Sequence, residues 1–197
     1  MQLLIASRNP SKVALFQRLF EEYGFAVTSL LNLPDGVRVE ETGTTPAANA
    51  LAKARGYHCS NHPWTFGDDA ALEVDALGGE PGVETRRWGG RYSDSVTDQE
   101  WLDYLLKRLR GVPEHQRTAR WVAAWALVAP DGSEHVHTVT YPFRIAERPV
   151  RPMLPGWPMS AVRIGIGNDL SARHEEVRVS LRAWGAVEDL VARFGER

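Results

Sequence analysis

Two adjacent carboxylates, Asp68 and Asp69, follow the apolar residues of Thr65-Phe66-Gly67, and Ala70 to Leu77, Gly78-Gly79 and Pro81-Gly82 come next. In an extended segment neighbouring side chains point to opposite faces, so the pair cannot be buried together without cationic or metal partners. A Gly-Asp-Asp turn at a strand end suits a hard, oxygen-seeking cation such as magnesium. Two further segments carry complementary chemistry. Ser7-Arg8-Asn9-Pro10-Ser11-Lys12 leads from an apolar run into an amphipathic one, where backbone N–H groups, the helix dipole and the Lys12 ammonium can meet an anion. Glu40-Glu41-Thr42-Gly43-Thr44-Thr45 precedes Asn49 and Lys53, which are four apart and share a helix face. Taken singly, each segment has a plainer explanation: a solvated acidic turn, a capped helix, acids ahead of a helix N-terminus. Together they hold the carboxylates and lysines that metal-assisted phosphoryl chemistry requires.

The elements that must position these residues follow from spacing. Leu3 to Ala6 reads as a short buried strand. A helix follows, with Asn9 as N-cap, Pro10 in its first turn, Val13, Phe16, Leu19, Phe20 and Tyr23 on one side, and Gly24 at its end. A second helix begins at Thr45 and runs through Ala54. A third spans about Asp98 to Leu109, with Trp101, Leu102, Leu105 and Leu106 at helical spacing. Trp121 to Ala129 and Val136 to Tyr141, around Pro130-Asp131-Gly132, predict a β-hairpin. Ala183 to Phe194 predicts a last helix, and Arg148 to Pro158, with four prolines and a glycine, an irregular stretch. Strands and helices mix without strict alternation, which predicts an α/β fold with a mixed sheet.

The 197 residues fit one domain or two closely packed lobes, and the formal net charge of −2 gives no basic field for a nucleic-acid polymer. No run approaches the roughly 20 apolar residues of a membrane span. With a single cysteine, Cys59, no intramolecular disulfide forms, and a cytoplasmic protein is expected.

Four blocks in fixed order carry a resemblance: Ala6 to Lys12, Glu40 to Thr45, Asn49 to Arg55 and Asp68 to Gly82, continuing through Arg87, Gly90 and Gln116 to Trp121. The chain resembles the inosine/xanthosine triphosphate pyrophosphatases, which remove deaminated purine nucleotides. The resemblance implies a single domain over 1–197, an elongated mixed sheet with flanking helices forming two lobes around a central cleft, and a homodimer. It implies a magnesium-dependent attack of water on the α-phosphorus, giving a nucleoside monophosphate and pyrophosphate. By position, Ser7, Asn9, Lys12 and Lys53 contact the phosphates and Glu41 and Asp69 hold magnesium. Asp69 is also the base and Asp68 a supporting carboxylate. Where the family has serine after the aspartates the chain has Ala70, whose backbone N–H can still serve.

The last third departs from the family. Its Gly-Phe-Gly-Tyr-Asp-Pro segment is missing, with Leu154-Pro155-Gly156-Trp157-Pro158-Met159 in that place, and its late Ser-His-Arg is matched to Ser180-Leu181-Arg182. Trp157 and Arg182 are then the remaining base contacts. Two functions follow: a pyrophosphatase of altered base preference, or a relative that binds a nucleotide or a partner without hydrolysing it. Three weaker patterns stand outside this scheme. His58, Cys59 and His62 are a sparse set for a metal, His135 and His137 share an exposed strand face, and Gly165 to Leu170 is a turn.

Overall fold

A computed structural model describes residues 1–34, 38–93, 95–165 and 170–194. Its elements are β1 (Gln2–Ile5), α1 (Pro10–Glu21), β2 (Ala26–Ser29), α2 (Pro46–Tyr57), β3 (Trp64–Val74), β4 (Pro81–Gly82), α3 (Asp98–Arg108), β5 (Thr118–Val128), β6 (Glu134–Ile145), β7 (Arg163–Ile164), α4 (Leu170–Trp184) and α5 (Ala186–Phe194). The fold is mixed α/β. Seven strands form one sheet in the order β2-β1-β3-β5-β6-β7, with β4 on β3. The first three strands are parallel, and β4 and β7 pair antiparallel with their neighbours.

Local chemistry sets the helix starts. Asn9 caps α1, its side chain accepting from the Ser11 and Lys12 N–H groups; Thr45 caps α2 through the Ala48 N–H. Thr97 and Glu100 form a reciprocal capping box on α3. The β5–β6 turn closes through Gly132 at φ 80°, a conformation that glycine adopts without strain.

The chain divides into two compact units. The first comprises Met1–Asp69, Ala123–Val139 and His174–Arg197. On one face of its sheet, Phe16 and Phe20 of α1 pack on Phe66, Trp125 and Leu127. On the other, Ala50 and Ala54 of α2 pack on Ala124, Ala126 and Val128. The second unit, Ala70–Val122 and Thr140–Arg173, has its own core, in which Trp101, Leu102 and Leu105 of α3 meet Leu72, Phe143 and Met159. Among the described residues no helix is long and apolar enough to cross a membrane.

Gly67 sets the approach of α2 to the sheet. A Cβ there would lie 2.1 Å from the Ala50 carbonyl oxygen and 2.9 Å from the Ala54 nitrogen, both backbone atoms. Gly67→Ala is expected to destabilise the protein by about 1–3 kcal/mol, the range for overpacking a tight contact. Urea denaturation reads this, and an unchanged midpoint would contradict the close contact.

Three expectations change. Asp68 and Asp69 do not sit in a turn at a strand end; β3 runs straight through them to Val74. The last helix starts at Ala186 rather than Ala183, because Gly185 (φ 73°) breaks the chain after α4, whose Val177 and Leu181, four apart, bury one side. His137 is not exposed: its ring lies 5.7 Å from both Trp125 and Trp184, and burial pushes its pKa down. Cys59 and His62 exchange backbone hydrogen bonds in a tight turn, with Cys59 exposed. Most of the turn read at Gly165 to Leu170 lies outside the described residues.

Candidate active site

The acidic pair is organised by the two-residue period of β3. Ile5, the last residue of β1, pairs with Phe66, so Gly67, Asp68 and Asp69 run past the carboxyl end of β1. That is where open α/β sheets place their ligands. Phe66 faces α1 and Gly67 faces α2, so Asp68 follows Phe66 toward α1 and Asp69 follows Gly67 toward α2. Each helix meets its aspartate with a lysine. Lys12 Nζ of α1 lies 3.0 Å from Asp68 Oδ2. Lys53 Nζ of α2 lies 3.4 Å from Asp69 Oδ1 and 2.8 Å from Glu41 Oε2. Both aspartates are buried, at 6% and 8% exposure.

Asn49 ties the second cluster together. Its Nδ2 donates to Asp69 Oδ2 at 3.1 Å, and its Oδ1 accepts the Gly43 N–H at 2.8 Å. One buried amide therefore fixes the aspartate and the loop that carries Glu41. Spacing alone gave Asn49 a shared face with Lys53, and not this bridging role.

Three carboxylates (Glu41, Asp68, Asp69) and two ammonium groups (Lys12, Lys53) leave one excess negative charge in the cluster. Burial pushes the Asp69 carboxyl up, and Lys53, Lys12 and the Asn49 hydrogen bond pull it only part of the way back. Burial pulls the Lys53 ammonium down, but Asp69, Asp68 and Glu41 outweigh it and hold it above its ordinary value. The two partners of one ion pair thus shift the same way, as the negative excess and the burial together require. The ammonium stays charged, and the aspartate ionises at a cost.

A divalent cation fits this donor set. All the carboxylate atoms are hard oxygens, the charge is in deficit by one, and Asp68 Oδ1 is buried with no hydrogen-bond partner among the described residues. Among those residues no group of three His, Cys, Asp or Glu side chains converges, so substrate oxygens or water would complete the shell.

The remaining expected residues are placed as follows. Ser7 and Asn9 stand at the start of α1. Ser7 Oγ accepts the Asn9 N–H at 3.2 Å, and Asn9 Oδ1 accepts those of Ser11 and Lys12 at 2.9 and 3.3 Å. Three backbone donors of this terminus are therefore engaged within the chain, which leaves the Lys12 ammonium as the main attraction for an anion. Ala70 follows Asp69 on β3 and is half-buried. Arg182 is not brought to the cluster. It interacts with Tyr23, whose hydroxyl donates to Glu188 at 2.8 Å. Burial first, then Glu188, pushes that hydroxyl up to about 12, with Arg182 pulling against them. Tyr23 lies just past the far end of α1 from Lys12, about 15 Å at the helical rise.

Trp157, in the second unit, is half-buried and has the Arg173 guanidinium 3.6 Å from its ring centroid, a stacked cation–π contact. Ser180-Leu181-Arg182 lies on α4, with Leu181 fully buried in the first unit's core.

Comparison with known proteins decides the family. The sequence profile of the Ham1 family matches residues 3–157. The chain belongs to the Ham1 family. Among its relatives, the dITP/XTP pyrophosphatase of Nocardia farcinica is 39% identical over 152 residues, 76% of this chain and 72% of that protein. The dITP/XTP pyrophosphatase of Geobacillus kaustophilus is 40% identical over 148 residues, 75% and 71% of the two chains. The crystal structure of a nucleoside-triphosphatase, dITP/XTP pyrophosphatase, from Mycobacterium abscessus superposes with a TM-score of 0.68 at 34% identity, covering 95% of this chain and 97% of that one. The Ham1 protein of Staphylococcus aureus shares the fold, with a TM-score of 0.76 at 24% identity and coverage of 96% and 99%. The Ham1 profile ends at Trp157.

Proposed function

We propose that the protein is a nucleoside triphosphate pyrophosphatase, converting a nucleoside triphosphate and water to the monophosphate and pyrophosphate. The observation that carries this is the paired arrangement Lys12–Asp68 and Lys53–Asp69–Glu41 on the two faces of β3. The names of the relatives and their 39–40% identity support it. Lys12 and Lys53 receive the phosphates, with the Ser7 hydroxyl, the Asn9 amide and the Ala70 N–H as neutral donors. Glu41 and Asp69 hold a divalent cation, magnesium in the first instance, which when bound neutralises phosphate charge and lowers the pKa of bound water. Asp69, held at Oδ2 by Asn49, is the carboxylate that takes the proton of the attacking water. Asp68 holds Lys12 in position for the phosphates. A protein that only binds nucleotide has no use for a buried carboxylate kept ionised at a cost, which favours chemistry over binding alone.

We propose further that base preference is weaker than in the dITP/XTP enzymes. The family's base-reading segment and its histidine are absent, and Trp157 with Arg173 offers a stacking face and one cation in their place. A site built on hydrogen bonds discriminates by orders of magnitude; a stacking site discriminates far less. Purified protein with magnesium is assayed on inosine, guanosine, adenosine and pyrimidine triphosphates in competition, with pyrophosphate and orthophosphate detected separately. Pyrophosphate release with less than tenfold spread is expected. A hundredfold preference for inosine triphosphate would overturn the altered preference, and orthophosphate release would overturn the reaction.

A further inference from the structure

Lys53 stands between the two carboxylates assigned to the cation. Its Nζ contacts Glu41 Oε2 at 2.8 Å and Asp69 Oδ1 at 3.4 Å, and its side chain is only 12% exposed. We propose that the Lys53 ammonium is a placeholder for the cation, and that the metal enters Glu41 and Asp69 only as a triphosphate draws Lys53 away. The proposal rests on the reading of Glu41 and Asp69 as cation ligands.

An ammonium and a divalent cation held by the same two oxygens would repel each other across a few ångströms in a partly desolvated site. One of the groups must give way. Asp69 cannot, because Asn49 holds its other oxygen at 3.1 Å and β3 holds its backbone. The Glu41 loop is tied to the same Asn49 through the Gly43 N–H at 2.8 Å. Lys53 is fixed only at its α2 backbone and carries four rotatable bonds, so it can leave without moving any element. A polyphosphate supplies the oxygens that attract it. Nucleotide and metal then bind with positive coupling, each easing the entry of the other. The free enzyme keeps its carboxylates paired, and the cation site is completed only when substrate is present.

Mn²⁺ is the probe, titrated without nucleotide and followed by the electron paramagnetic resonance signal of the free ion. Wild type is expected to bind weakly. Lys53→Met and Lys53→Gln, which remove the charge, are expected to bind at least tenfold more tightly; Lys53→Arg, which keeps it, stays weak. Adding Asp69→Asn to Lys53→Met should abolish the gain. Equal affinity in wild type and both uncharged variants overturns the placeholder, as does Lys53→Arg binding as tightly as Lys53→Met. Tight Mn²⁺ binding by wild type that Asp69→Asn removes overturns the placeholder alone and leaves the metal ligands standing. Tight binding by Lys53→Met that Asp69→Asn does not affect overturns the assignment of the ligands themselves. Lys53→Gln, a polar side chain of similar length, keeps the test decisive if Lys53→Met does not fold.

Discussion

Asp69→Asn is expected to lower turnover by at least about a hundredfold, the range for losing a positioned general base, while the protein stays folded. The folding half of this expectation follows from the direction of the Asp69 shift. Burial raises its folded pKa above the unfolded value, so the stability associated with the neutral form is complete at low pH and is lost as pH rises through the folded pKa. Above that pKa the wild type has lost the contribution, and asparagine, neutral at every pH, keeps it. The variant should therefore be at least as stable as wild type at pH 7, the difference vanishing in acid. Thermal unfolding across pH checks the sign, and pyrophosphate release checks the activity. Turnover near the wild-type rate would remove Asp69 from the chemistry.

Lys12→Ala and Lys53→Ala are the second large pair. Each removes one of the two ammonium groups in a cluster that already has an excess of negative charge. A charge-assisted contact is worth about 1.5–3 kcal/mol, which corresponds to a loss of roughly ten- to a hundredfold in kcat/KM. The two variants should differ in origin. Among the described residues Lys12 pairs with Asp68, whereas Lys53 is shared between Asp69 and Glu41. Removing Lys12 is expected to raise mainly KM for the triphosphate, and removing Lys53 to lower, in addition, the concentration of metal required. Steady-state kinetics at varied nucleotide and varied magnesium separate them. Unchanged kinetics in both would place the phosphates elsewhere.

Much of this was legible from residue spacing because it depends on local rules. The caps Asn9 and Thr45, the apolar face of α1 and the opposed directions of Asp68 and Asp69 follow from periods of 3.6 and 2. The features that escaped are tertiary. Gly67-Asp68-Asp69 has turn chemistry, yet pairing with β1 and the approach of α2 to Gly67 keep it extended. Asn49 gave no sign of bridging Asp69 to Gly43, since that depends on two segments meeting in space. The contact of Arg173 with Trp157 joins α4 to a segment well before it in the chain and left no mark in the spacing. His137 alternates like an exposed strand residue, but Trp125 and Trp184 enclose it.

The central claim is that Asp69 directs water at the α-phosphorus. It is tested by letting the protein hydrolyse a nucleoside triphosphate in ¹⁸O-labelled water with magnesium and weighing both products. The account predicts one labelled oxygen in the nucleoside monophosphate and none in the pyrophosphate. Label in pyrophosphate, or in released orthophosphate, would contradict it.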